Sequence, residues 1–186
     1  MTVIGTVGLA GSGKGEAAEV AREEGVPVVT MGDVVREACR ERDLDPAEHH
    51  GQAARDLREE NGPDAIAERT LPRVREHRDD HDTVLIDGIR SDVEVDRFQE
   101  AFGEEFALVS VEAPFEVRAE RLGQRGRDES DRDLKALRER DERELGFGMG
   151  EAMDEADVVI ENTDSLESFH ETIRRLLRDG PDAVKP

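Results

Sequence analysis

A short β-branched run, Thr2-Val3-Ile4-Gly5-Thr6-Val7, leads straight into Gly8-Leu9-Ala10-Gly11-Ser12-Gly13-Lys14-Gly15, and this junction constrains the fold more than any other stretch. The run before the glycines reads as a buried strand. Behind them, Ala17, Val20 and Ala21 recur at helical spacing, and Gly25 suits a C-terminal stop. Strand, glycine-rich turn and helix form the setting in which G-x-x-x-x-G-K cradles phosphate. The glycines let successive N–H groups point inward at an anion, and the helix N-terminus adds its positive end. The competing reading is a flexible turn with an exposed lysine. Lysine usage argues against it, because lysine occurs only at positions 14, 135 and 185 while arginine supplies the other positive charge. Gly8, Leu9, Ala10, Gly11, Ser12, Gly13, Lys14 and Gly15 are the expected nucleoside triphosphate loop, with Lys14 on the outer phosphates.

One departure bears on the metal. The pattern usually continues with Ser or Thr, whose hydroxyl touches Mg²⁺, whereas Gly15-Glu16 follow the lysine here. The metal must then be held by phosphates, by water or by a carboxylate elsewhere.

The 186 residues suit one domain with inserted segments. With 26 basic residues against 47 acidic, the net charge is −21, and only 35% of residues are hydrophobic. A disordered acidic chain would share those numbers, but the apolar residues here cluster into separate strand-like runs. The composition therefore predicts a folded protein with a heavily carboxylated surface, suited to a cytoplasm at molar salt. The excess of arginine over lysine and the absence of Trp and Tyr fit that reading. Such a surface repels nucleic acid and anionic membranes, so neither is an expected partner. No run approaches membrane-spanning length and the chain opens on a strand without a signal peptide, so a cytoplasmic location is expected. Cys39 is the only cysteine, which excludes an intramolecular disulfide and suits a small buried side chain.

Further along, Val26 to Thr30 reads as a second strand, and the segment from Asp33 to Arg78 as mostly polar helix. Asp45-Pro46-Ala47-Glu48 opens one helix, Asn61-Gly62-Pro63-Asp64 closes it and opens another, and Pro72 should kink or break that one. His49-His50 reads as a solvated pair without a third ligand. Thr83 to Ile86 is a strand ending in Asp87, which puts a carboxylate at the sheet edge that also carries the phosphate loop. Asp87 could merely cap a turn, but Ser91-Asp92-Val93-Glu94 already offers a capping box for the next helix. A metal or catalytic role is preferred, with Mg²⁺ held through water. Phe106 to Val111 and Ala156 to Ile160 are further strands, and Leu166, Phe169, Ile173, Leu176 and Leu177 mark one face of a last helix, ended by Gly180-Pro181. The alternation predicts an α/β fold: a three-layer α/β/α sandwich around a five-stranded parallel sheet, with a helical acceptor-binding insert over 31–78 and a lid over 123–150.

In this order the motifs resemble those of the P-loop nucleoside monophosphate kinases. Gly32-Asp33-Val34-Val35-Arg36 resembles the family's Gly-Asp-…-Arg segment, and Gly62-Pro63-Asp64 the end of its acceptor insert. Asp87-Gly88-Ile89-Arg90 resembles its Asp-Gly-(aromatic)-Pro-Arg segment without the proline, and Arg121-Leu122-Gly123-Gln124-Arg125 carries the four-residue arginine spacing at the lid. Ala156-Asp157-Val158-Val159-Ile160-Glu161-Asn162 with Ser165-Leu166-Glu167 resembles dephospho-coenzyme A kinase. Over nearly its whole length, Arg140-Asp141-Glu142-Arg143-Glu144-Leu145-Gly146 included, the chain resembles an archaeal family of adenylate-kinase-like ATP-binding proteins. The resemblance implies ATP and Mg²⁺ as cofactors and a small phosphorylated acceptor bound by Asp33, Arg36 and Arg90. It also implies Arg90, Arg121 and Arg125 beside Lys14 and Asp87 in catalysis. It leaves the acceptor and the oligomeric state open.

The chemistry points the same way, since phosphoryl transfer asks mainly for positioning and positive charge. In so acidic a chain most arginines should be surface partners of carboxylates, and Arg138, Arg140 and Arg143 are read so. Two functions remain. One moves the γ-phosphate of ATP to a nucleotide-like acceptor or a coenzyme A precursor. The other is an ATP-binding switch or slow ATPase acting on a protein partner, which the missing Thr at position 16 and the missing proline before Arg90 would suit.

Overall fold

The structure is a computed structural model that describes residues 1–125 and 133–185. The β-branched runs form the expected strands: β1 (Thr2–Val7), β2 (Val28–Thr30), β3 (Thr83–Asp87), β4 (Phe106–Glu112) and β5 (Val158–Glu161). They make one parallel sheet in the order β2-β3-β1-β4-β5. The order reverses around β1, so the chain leaving that strand emerges at the topological switch point, where such sheets bind ligands.

Alternation along the strands sorts the core into two layers. Val3 and Val7 of β1, Val84 and Ile86 of β3, and Phe106 and Leu108 of β4 point to one face. There they meet α2 (Met31–Glu41), α3 (Pro46–Asn61), α4 (Ala65–Arg78) and α5 (Asp92–Phe102). Ile4, Leu85, Val109, Val111, Val158 and Ile160 face the other way, against α1 (Lys14–Glu23) and α9 (Leu166–Asp179). Gly5 sits where a side chain would foul the first layer: a Cβ there would lie 2.6 Å from Ile89 Cδ1. The remaining helices are α6 (Phe115–Arg125), α7 (Leu134–Glu144) and α8 (Gly150–Asp154), the last two joined by a single wide turn over Leu145–Met149.

One local expectation changes. Pro72 does not break its helix, which runs unbroken from Ala65 to Arg78. Ile66, Ala67, Leu71 and Val74 are anchored in the core, and their burial holds the turn together although Pro72 donates no hydrogen bond. Thr70 Oγ1 also donates to the Ile66 carbonyl at 2.7 Å. Cys39 is buried and unpaired, as its small apolar character suggests. The segment 123–150 falls partly outside the described residues, as do Arg127, the acidic run after it as far as position 132, and the side chain of Arg125. No helix among the described residues is long and apolar enough to cross a membrane.

Candidate functional site: a phosphate loop opening on a cationic cavity

Between β1 and α1 the backbone takes conformations that only glycine enters cheaply, with φ of +141° at Gly8 and +122° at Gly13. Space is equally restrictive. A Cβ on Gly8 would lie 2.3 Å from the Val111 carbonyl oxygen, and one on Gly13 would lie 2.3 Å from Asn162 Nδ2. The loop is held from beneath by residues distant in sequence. The β4–β5 ladder ends with Asn162 N donating to the Glu112 carbonyl at 2.7 Å. That last rung carries the Asn162 side chain under the loop, where Nδ2 donates to the Ser12 carbonyl at 2.8 Å. Arg121 clamps the same spot, donating from Nη2 to the Asn162 carbonyl at 2.9 Å and from Nη1 to Ser12 O at 3.4 Å. Ser12 Oγ is buried and has no hydrogen-bond partner among the described residues.

Lys14 folds over its own loop, donating from Nζ to the Gly8 carbonyl and, at 3.3 Å, to that of Leu9. Burial lowers its ammonium from the ordinary 10.5 to about 8. Asp87 and Glu144 pull in the opposite direction, while Arg90 and Arg140 lower it further.

Beside the loop lies a cavity of about 690 Å³. Lys14 and Asp87 line it, as do Arg36 of α2 and Arg90 beyond β3. Thus the expected loop, strand-end carboxylate and acceptor arginines all reach one space. Arg36 is tethered by Asp33 on the same helix, whose Oδ1 accepts from Nε at 2.9 Å and from Nη2 at 2.6 Å. Arg121 lines a second cavity of about 420 Å³ on the other side of Gly13, together with Glu16, Gln124, Asn162, Asp164 and Leu166. Glu16, in the place of the customary hydroxyl, meets His170 Nε2 of α9 at 2.8 Å.

Several lining residues escaped the sequence reading. Arg140 and Arg143 were expected to be surface partners. Arg140 does pair with Glu144 at 3.1 Å, one turn along α7, but the pair and Arg143 line the main cavity. Arg138 stacks on Phe115, its guanidinium carbon 4.9 Å from the ring centroid. Arg55 and Arg58 of α3 add two further cations. The capping box forms only in part. Ser91 Oγ accepts from Glu94 N at 3.4 Å, but the Glu94 carboxylate turns to Arg90 N at 2.9 Å and to Arg58 Nη2 at 2.8 Å. Neither is His50 a solvated bystander. It is half-buried on the cavity wall, and burial, with Arg90 and Arg36 nearby, pushes its imidazole below the usual range against a hydrogen bond it donates to the Gly32 backbone.

Among the described residues, seven cations thus line the main cavity against three carboxylates, Asp87, Glu94 and Glu144, in a chain whose net charge is −21. The charge runs opposite to that of the whole molecule, and the space opens on a glycine loop at the switch point of a parallel sheet. Fold and site define a P-loop, kinase-like nucleotide-binding domain. The chain belongs to the AAA domain family, whose model matches residues 7–138, and to the UPF0200 family: it is 57% identical to a UPF0200 protein of Halobacterium salinarum, over 100% of this chain and 98% of that one. Among solved structures it is similar in fold to TT1252 from Thermus thermophilus (19% identity, TM-score 0.65, 96% of this chain and 97% of that one). It is also similar in fold to shikimate kinase from Bacteroides thetaiotaomicron (18% identity, TM-score 0.56, 95% and 98%).

Proposed function

We propose that the protein is an ATP-dependent phosphotransferase of the nucleoside monophosphate kinase type, acting on a small phosphorylated acceptor, nucleotide-like or a coenzyme A precursor. The carrying observation is the excess of four positive charges that the described residues bring to the cavity beside the loop. A triphosphate partly neutralised by magnesium and a phosphomonoester each bring about −2, so together they match that excess. In this reading the loop and Lys14 hold the triphosphate, Arg140 and Arg143 lie along it, and Arg36 and Arg90 take the acceptor phosphate. Asp33 acts by holding Arg36. With a nucleoside monophosphate a phosphate oxygen attacks the γ-phosphorus, the bond to the bridging oxygen breaks, and ADP leaves; with dephospho-coenzyme A the attacking atom is a sugar hydroxyl oxygen, whose proton passes to solvent as ADP leaves. The base belongs in the smaller cavity, against Arg121 and Leu166.

The donor set fits Mg²⁺. Asp87 offers hard carboxylate oxygen at the cavity wall, Ser12 Oγ is an unpartnered hydroxyl within the loop, and no group of three or more ligating side chains gathers among the described residues. Mg²⁺ keeps several waters and favours one or two carboxylates plus phosphate oxygens, so such a sparse site suits it. When bound, it would neutralise charge on the outer phosphates.

The negative surface argues against nucleic acid and anionic membranes as partners, and it and the Halobacterium relative support a cytoplasmic protein of a salt-rich cell. The test is ADP release from Mg·ATP in concentrated KCl, with nucleoside monophosphates and dephospho-coenzyme A offered in turn. Stimulation by at least one is expected. Slow hydrolysis indifferent to every acceptor would favour a regulatory ATPase instead.

A further inference from the structure

Arg118 of α6 was not conspicuous in the sequence, yet it is 4% exposed and uses four of a guanidinium's five N–H donors. Nε donates to the Ala113 carbonyl at 3.1 Å, at the exit of β4. Nη1 donates to the Ala10 carbonyl of the phosphate loop at 3.0 Å and to Asp141 Oδ1 at 3.1 Å, and Nη2 donates to Asp141 Oδ2 at 2.6 Å. One side chain therefore joins the strand end, the loop and α7.

Apart from the stack of exposed Arg138 on Phe115 and the 3.8 Å approach of Glu144 to Arg90, the helix it grips has little else to orient it. Among the eleven residues of α7 only Leu137 and Asp141 are buried, one turn apart on the same face. A single leucine resists sliding but sets no rotation, because apolar contact is non-directional. The forked pair with Asp141 is directional. A slip of one residue would turn the helix by about 100° and carry the neighbours of Asp141 off the cavity wall. Those neighbours are Arg140, Arg143 and Glu144. A buried ion pair is also a poor source of stability, since an apolar pair of similar volume commonly does as well. Its geometric effect is the better account of its presence.

We infer that Arg118 is a positioning residue: by gripping Asp141 and Ala10 together, it sets the rotation of α7 and so places Arg140 and Arg143 along the phosphates held by the loop. This rests on the reading of the loop as a nucleotide site. The experiment measures thermal midpoint and Mg·ATP affinity in molar KCl for wild type, Arg118→Met, Asp141→Leu, the double variant and Arg118→Lys. Each single apolar variant strands a buried charge and should melt earlier. The double variant should regain most of the midpoint yet bind Mg·ATP at least tenfold more weakly. Arg118→Lys keeps the charge without the fork, so it should hold its midpoint and also lose affinity. If the double variant, or Arg118→Lys should the double not fold, melts and binds as wild type does, the pair is merely structural and the inference is overturned. Wild type that binds no Mg·ATP would instead overturn the nucleotide reading, and this inference with it.

Discussion

Asn162 Nδ2 donates to the Ser12 carbonyl at 2.8 Å across 150 residues of chain, so the end of the last strand supports the phosphate loop from below. The same nitrogen occupies the space a Gly13 side chain would need. Gly13→Ala should therefore abolish ATP binding, through both the collision and the positive φ, and Asn162→Ala should not rescue it because the strained φ remains. Gly15→Ala is the internal control, since a Cβ there meets nothing within 4 Å and the residue lies in α1. It should bind ATP within about threefold of wild type, a cost of less than one hydrogen bond. Titration calorimetry on folded protein checks both.

The lowered Lys14 value makes nucleotide binding a proton-linked event. The folded ammonium titrates near 8 and its unfolded counterpart near 10.5. Between those values the unfolded chain holds the proton and the folded one does not, so this group's contribution to stability rises with pH across that window. Phosphate oxygens close to Nζ favour the charged form. Binding Mg·ATP at pH 8 should therefore take up about half a proton, approaching one near pH 9 and none near pH 6.5. Calorimetry in buffers of different ionisation enthalpy reads the uptake directly. A pH-independent proton count would show that Lys14 does not meet the phosphates.

Arg36 and Arg90 should separate acceptor from donor. Neither belongs to the loop, and Arg36 is already oriented by Asp33. Alanine at either position should leave ATP affinity within about threefold and cut kcat/KM for the acceptor by roughly 10–150-fold, the loss of one charge-assisted phosphate contact. Steady-state kinetics with the best acceptor decides. Equal losses for donor and acceptor would contradict the division of the cavity proposed above.

The strands and the loop were legible because their signals are local. Thr2–Val7 is a run of β-branched residues, and the spacing of Gly8, Gly13 and Lys14 is fixed by the backbone geometry of one turn. Asp87 was legible from its place at a strand end. Arg140 and Arg143 were not. On α7 almost no apolar stripe marks which face turns inward, so in a chain of 47 acidic residues their spacing from Glu144 and Glu139 looked like ordinary surface pairing. Glu94 was expected to complete a local cap, and its partner Arg58 lies 36 residues upstream, at a distance no local pattern encodes. The roles of Arg118, and of Asn162 within its strand-end motif, were not legible for the same reason: both act on carbonyls of the loop more than 100 residues away.

Salt should stabilise the fold. Screening length shrinks from ~10 Å at 0.1 M to ~3 Å at 1 M, which weakens the self-repulsion of a molecule carrying −21. The pairs seen at the surface, such as Arg69–Glu41 at 3.0 Å and Arg174–Glu24 at 3.0 Å, are exposed and lose little when screened. The thermal midpoint should climb steadily with KCl up to molar concentrations. A flat or falling midpoint would refute adaptation of this surface to salt.

The most direct test of the central claim follows the phosphate itself. Wild type and Lys14→Ala are incubated with γ-labelled Mg·ATP and each phosphorylated acceptor in molar KCl, and the labelled products are separated. The label should pass to at least one acceptor in wild type, and Lys14→Ala should be slower by orders of magnitude while keeping its fold. Label recovered only as free phosphate with every acceptor, or transfer undiminished in Lys14→Ala, would contradict the account.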